Sequence, residues 1–133
     1  MYQLEQLSEQ IQHKSFQESC DMICEQLRKV PHFDWVGIYM VEGDDLVLGA
    51  WNGPKATEHV RIPIGQGICG LAVRERRTVI VNDVNEDPRY LACFPETRAE
   101  IVVPVFTLDG SDIIGEIDID SDKPDAFSEE DAE

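Results

Sequence analysis

The segment Glu116-Ile117-Asp118-Ile119-Asp120 alternates acid and isoleucine with a period of two. An extended strand sorts such a pattern, because successive side chains point to opposite faces. Ile117 and Ile119 then share one face, which asks for a core, and the three carboxylates share the other. Like charges on one strand face repel. In a chain this acidic the carboxylate face reads first as solvated, at the end of an edge strand. The second reading is an acidic pocket wall, able to bind an ammonium group or to supply a proton. Asp109-Gly110 carries a hairpin signal between strands at 99–107 and 112–120. Glu100 opens the partner strand of that hairpin and can join the wall.

The rest of the chain supplies more strands and the helices to cover them. Leu4, Leu7, Ile11, Phe16, Cys20, Ile23, Cys24 and Leu27 recur at three-four spacing and predict a helix over about 3–29. Val30-Pro31 stops it, since proline disfavours a helical residue before it. Cys20 and Cys24 fall on its apolar face and read as buried small hydrophobes. Strands are expected at 35–41 and 46–51, joined through Glu42-Gly43-Asp44-Asp45, then at 60–64 and 78–81. Gly65-Gln66-Gly67 turns tightly into a helix over 68–76, and 82–94 is a long loop. Ser128 is expected to begin a terminal helix, one cut short at Glu133. The pattern is α+β, with helices on an antiparallel sheet. A chain of 133 residues makes one domain, 1–133.

Charge and cysteine usage exclude several functions. The formal net charge is −16, which opposes nucleic acid and anionic lipid, because both attract Lys/Arg patches. No apolar run approaches the ~18 residues of a membrane span, and the polar N-terminus lacks a signal-peptide core. A cytoplasmic protein is expected. Four cysteines without secretory context do not predict a structural disulfide framework. Cys20 and Cys24 have no second ligand pair at finger spacing, and His13, His32 and His59 form no motif, so no metal is expected. The sequence calls for no cofactor.

Two further constellations carry chemistry. Trp35 and Tyr39 lie four apart on one strand face with Gly37 between them. They read as core packing or as two aromatic walls around a slot for a methyl or thioether group. Cys69 follows Gly65-x-Gly67 at a helix start, where the dipole and free N–H groups favour a thiolate. Cys93 sits in the long loop, where a cysteine is a candidate nucleophile or redox thiol.

Gly65-Gln66-Gly67-Ile68-Cys69-Gly70, Val81-Asn82-Asp83-Val84, Ala92-Cys93, Ala99-Glu100-Ile101-Val102-Val103-Pro104 and Ile114-Gly115-Glu116-Ile117-Asp118-Ile119-Asp120-Ser121 together resemble a GAF domain. Within that superfamily they are most similar to the free methionine-(R)-sulfoxide reductases. The resemblance implies an antiparallel sheet of about six strands with N- and C-terminal helices packed on one face. It implies reduction of free L-methionine-(R)-S-oxide, with Cys93 as nucleophile and Cys69 as the thiol that closes a disulfide with it. It assigns substrate binding to Glu100, Asp118, Asp120, Trp35 and Tyr39. It implies thioredoxin as the reductant and a homodimer. Many members carry a third cysteine where this chain has His59. Phe94 stands where the family has Asp, and Glu116 replaces an apolar residue, adding a charge to the pocket wall or to solvent. Asp87-Pro88-Arg89-Tyr90-Leu91 and Pro95-Glu96-Thr97-Arg98 look more like GAF domains of signalling proteins. A non-catalytic small-molecule sensor and a thiol redox switch are therefore the competing functions.

Overall fold

The computed structural model describes residues 16–54, 56–57, 59–84, 97–123 and 126–127. Its elements are α1 (Phe16–Leu27), β1 (Trp35–Glu42), β2 (Asp45–Asn52), β3 (Arg61–Pro63), α2 (Gly67–Glu75), β4 (Val79–Val81), β5 (Ala99–Phe106) and β6 (Ile113–Ser121). The six strands form one sheet in the order β3-β2-β1-β6-β5-β4, and every pairing is antiparallel. The expected α+β architecture is what forms. The expected helix over 3–29 is described only from Phe16, and the terminal helix from Ser128 lies outside the described residues.

Local chemistry sets these boundaries. Glu42 pairs with Asp45 across a two-residue loop whose first residue, Gly43, has φ 62°. Positive φ at that position is what a tight hairpin loop needs, and glycine reaches it without a steric penalty. At the end of α1 the Lys29 and Val30 amides donate to Gln26 and Leu27 carbonyls. These tighter bonds close the last turn before Pro31. α2 stops at Arg76, which turns left-handed at φ 56° while its N–H donates to the Ala72 and Val73 carbonyls.

The sheet has a core on each face. On one face α1 packs, with Cys20 and Cys24 among Phe33, Val36, Ile38, Ala50, Ala99, Ile101, Ile119 and Phe127. Burial, with smaller contributions from Cys20 and Asp21, pushes the Cys24 thiol up to about 12. Both cysteines are free thiols and behave as the sequence predicted, as core residues. On the other face α2 lies over β5 and β6, its Ile68, Cys69, Leu71, Ala72 and Val73 meeting Trp35, Tyr39, Val79, Val81 and Val102.

One expectation is overturned. β6 is no edge strand; it is central, between β1 and β5. Its carboxylate face lies under α2 and not in solvent. Glu116, Asp118 and Asp120 are at most 2% exposed.

Candidate active site

Register assembles the site. Directly opposed residues of antiparallel strands share a face. Asp120 is flanked by Trp35 of β1 and Glu100 of β5. Asp118 is flanked by Gly37 and Val102, and Glu116 by Tyr39 and Pro104. Four carboxyl side chains from two adjacent strands thus converge on one buried patch. The sequence-predicted residues Glu100, Asp118, Asp120, Trp35 and Tyr39 all lie on this face. Glu116, left between wall and solvent by sequence reasoning, joins them at 0% exposure. Its parity with Asp118 and Asp120 was the available signal. Cys93 lies outside the described residues.

Cys69 is brought over the patch by α2. Gly70 makes this possible: its N–H donates to the Gln66 carbonyl, and its own carbonyl accepts from the Gly65 N–H at 3.0 Å. A Cβ at Gly70 would fall within 3 Å of the Gly65 nitrogen and the Pro63 carbonyl. Only glycine lets the first turn of α2 press onto the preceding loop. The Cys69 thiol then faces Glu100, with Sγ 3.9 Å from Oε2.

The electrostatics reverse the expectation that the helix start makes Cys69 a ready thiolate. Burial raises its pKa well above the usual thiol value, and Asp118, Glu116 and Glu100 raise it further. A buried site surrounded by acids outweighs the partial charge of a helix terminus. The carboxyl groups are perturbed too. Burial is the first cause in each case: it holds Glu116 and Asp120 well above their ordinary values and raises Asp118. The Asp118 charge adds to the shift of both neighbours. No fixed donor among the described residues reaches the carboxylate oxygens of Glu116, Asp118 and Asp120; the groups with which they can share a proton are Glu100, beside Asp118 and Asp120, and the Cys69 thiol, beside Glu116 and Asp118. Such groups stay protonated or await a cation. Cys69, Glu100 and Asp118 each offer a ligand atom, and these three atoms lie within 4.8 Å of one another.

The aromatic residues are arranged differently from the expected open slot. The Trp35 indole lies over Gly37 and against Gly53, so that a Cβ on either glycine would collide with it. It stacks on Trp51, with centroids 6.3 Å apart and planes 13° apart. The space above Gly37 is thus filled by the indole. The Tyr39 hydroxyl donates to the His59 carbonyl at 2.7 Å, which holds the segment before β3 against the site. No helix among the described residues is long and apolar enough to cross a membrane.

The chain is similar to known proteins. A type II free methionine-R-sulfoxide reductase structure from Thermoplasma acidophilum is 49% identical, with TM-score 0.82, covering 86% of this chain and 80% of that one. The structure of free methionine-R-sulfoxide reductase from Neisseria meningitidis in complex with its substrate is 37% identical, with TM-score 0.88, covering 97% of this chain and 77% of that one. The free methionine-R-sulfoxide reductase of Escherichia coli is 38% identical over 103 residues, covering 77% of this chain. The present chain spans 60% of that curated relative's length. Residues 15–133 match the GAF domain model, and the chain belongs to the GAF domain family.

Proposed function

We propose that this chain reduces free L-methionine-(R)-S-oxide to methionine. The observation that carries the reading is the sealed cluster of Glu116, Asp118 and Asp120, whose oxygens meet no fixed donor among the described residues and have only Glu100 and the Cys69 thiol to share protons with. A free amino acid brings the ammonium group that such a cluster lacks, whereas a residue within a protein chain does not. The likeness to free methionine-R-sulfoxide reductases supports the same choice.

In this mechanism Asp118, Asp120 and Glu100 receive the polar groups of the substrate, and its S-methyl end packs against the Trp35 and Tyr39 rings rather than in the filled space between them. A carboxylic acid held protonated by burial protonates the sulfoxide oxygen. Cys93 attacks the sulfur, the sulfur–oxygen bond breaks, and methionine leaves while Cys93 becomes a sulfenic acid. Cys69 then attacks Cys93, water departs and a disulfide forms. The raised Cys69 pKa means that its proton must be taken as it reacts, and Glu100 is the carboxyl group at hand. A dithiol of the thioredoxin class returns both cysteines to thiols. One sulfoxide and two thiols give methionine, one disulfide and one water.

The test supplies dithiothreitol and each free methionine sulfoxide epimer, and counts methionine, with Cys93→Ser as control. Methionine from the R epimer alone, abolished in Cys93→Ser, is the expected result. Methionine from neither epimer, with folded and reduced protein, overturns the reading and leaves a ligand-sensing pocket.

A further inference from the structure

We infer that the pocket under α2 is also a binding site for a thiophilic divalent cation of the zinc class, with Cys69, Glu100 and Asp118 as its protein ligands. Three observations point there. The Cys69 sulfur and one oxygen from each of the two carboxyl groups lie within 4.8 Å of one another. All three side chains are at most 4% exposed. Beside them, on the same side of β6 as Asp118, Glu116 is wholly buried; no fixed donor among the described residues reaches its oxygens, and its carboxyl is turned to the Cys69 thiol.

The donor set selects the cation. An ammonium group satisfies carboxylates and makes no use of a sulfur. Magnesium and calcium take oxygen ligands and gain nothing from a thiolate. A borderline-soft ion uses both at once. Bonds of about 2.0 Å to oxygen and 2.3 Å to sulfur put tetrahedral ligand atoms roughly 3.3–3.6 Å apart. The Cys69 Sγ to Glu100 Oε2 separation is 3.9 Å and no pair of ligand atoms is more than 4.8 Å apart, so side-chain rotations that draw the atoms together by up to about 1.5 Å close the site. Binding exchanges protons for metal: the Cys69 thiol and any protonated ligand carboxyl release their protons to solvent as metal–sulfur and metal–oxygen bonds form. No electrons are transferred.

Metal binding does not depend on the reductase reading. One consequence does: a cation held by Cys69 occupies the place of the substrate ammonium and blocks disulfide closure, so it inhibits reversibly. The experiment titrates the reduced full chain with cadmium and follows the thiolate-to-cadmium charge-transfer absorption. A saturable band at one equivalent is expected. It is absent in Cys69→Ser and shifts at least tenfold to higher cadmium in Asp118→Asn. No saturable band at micromolar cadmium, or a band unchanged in Cys69→Ser, overturns the proposal. If Cys69→Ser fails to fold by circular dichroism, an unchanged affinity in Asp118→Asn overturns it instead. Reductase assays of the metal-free protein separate the two readings, because either property can fail while the other stands.

Discussion

The Cys69 sulfur lies 3.9 Å from Glu100 Oε2, at the point where the first turn of α2 crosses the central strands. The pairing joins a nucleophilic group to an acid and buries both. It makes Cys69 a reluctant thiolate, because burial, Asp118, Glu116 and Glu100 all disfavour the charge.

Alkylation of Cys69 by iodoacetamide, read by peptide mass spectrometry, is therefore expected to be slow at neutral pH. Its rate rises only well above the ordinary thiol value of 9.0. Asp118→Asn removes the largest charge contribution and moves the midpoint down. Burial, the larger cause, keeps it above the ordinary value. Rapid alkylation of Cys69 near neutrality contradicts this arrangement.

Stability is expected to fall as pH rises. The carboxyl groups of Glu116, Asp118 and Asp120 have native pKa values above their ordinary values of 4.5, 3.8 and 3.8. A group shifted upward holds its proton longer in the folded state. Its contribution is fully present below the ordinary value and is lost as pH climbs through the raised one. The melting temperature thus drops as pH rises above the ordinary carboxyl values. Asp118→Asn flattens the drop, while Asp44→Asn, which removes an equal charge at an exposed turn, leaves most of it.

Much of this fold was legible because its signals are local. The alternation along β6, the Gly43 turn and the Val30-Pro31 stop each act within a few residues, and the predicted elements that fall among the described residues lie close to where they form. The site was legible as a set of residues and not as an environment. An edge strand and a central strand can carry the same alternating sequence, so 116–120 does not tell solvent from core. The helix α2 laid over that face decides it, together with the flanking of β6 by β1 and β5. The thiolate expected at Cys69 failed for the same reason. A helix start is visible in sequence, whereas the acids that oppose it arrive from strands more than thirty residues away. The filled space above Gly37 is a matter of the Trp35 rotamer, which no spacing encodes.

Gly37→Ala is expected to destabilise the protein by about 1–3 kcal/mol, as overpacking of a filled core does. Gly37 lies in a regular strand with no positive φ, so the backbone accepts alanine. The cost arises from the new Cβ meeting the Trp35 ring. Displacement of that ring from Trp51 also alters the tryptophan fluorescence. A denaturation midpoint equal to that of the parent, with unchanged emission, refutes the placement of the indole.

Glu116→Leu tests whether this carboxyl group costs stability for the sake of the pocket. Glu116 is fully buried, and no fixed donor among the described residues reaches its oxygens, which leaves the Cys69 thiol as the neighbour of its carboxyl. Leucine has a similar length and no polar atom to desolvate. Replacing an unsatisfied buried polar group by an apolar one of like shape recovers about 1–3 kcal/mol. The denaturant midpoint is therefore expected to rise, and to rise more at about pH 8 than at about pH 5, because the pH-dependent penalty disappears with the acid. Cadmium affinity falls in the same variant, since a negative charge next to Cys69 and Asp118 is lost. A gain in stability together with weaker cation binding separates a functional acid from a structural one. A loss of stability means that Glu116 is held by partners that its geometry does not reveal.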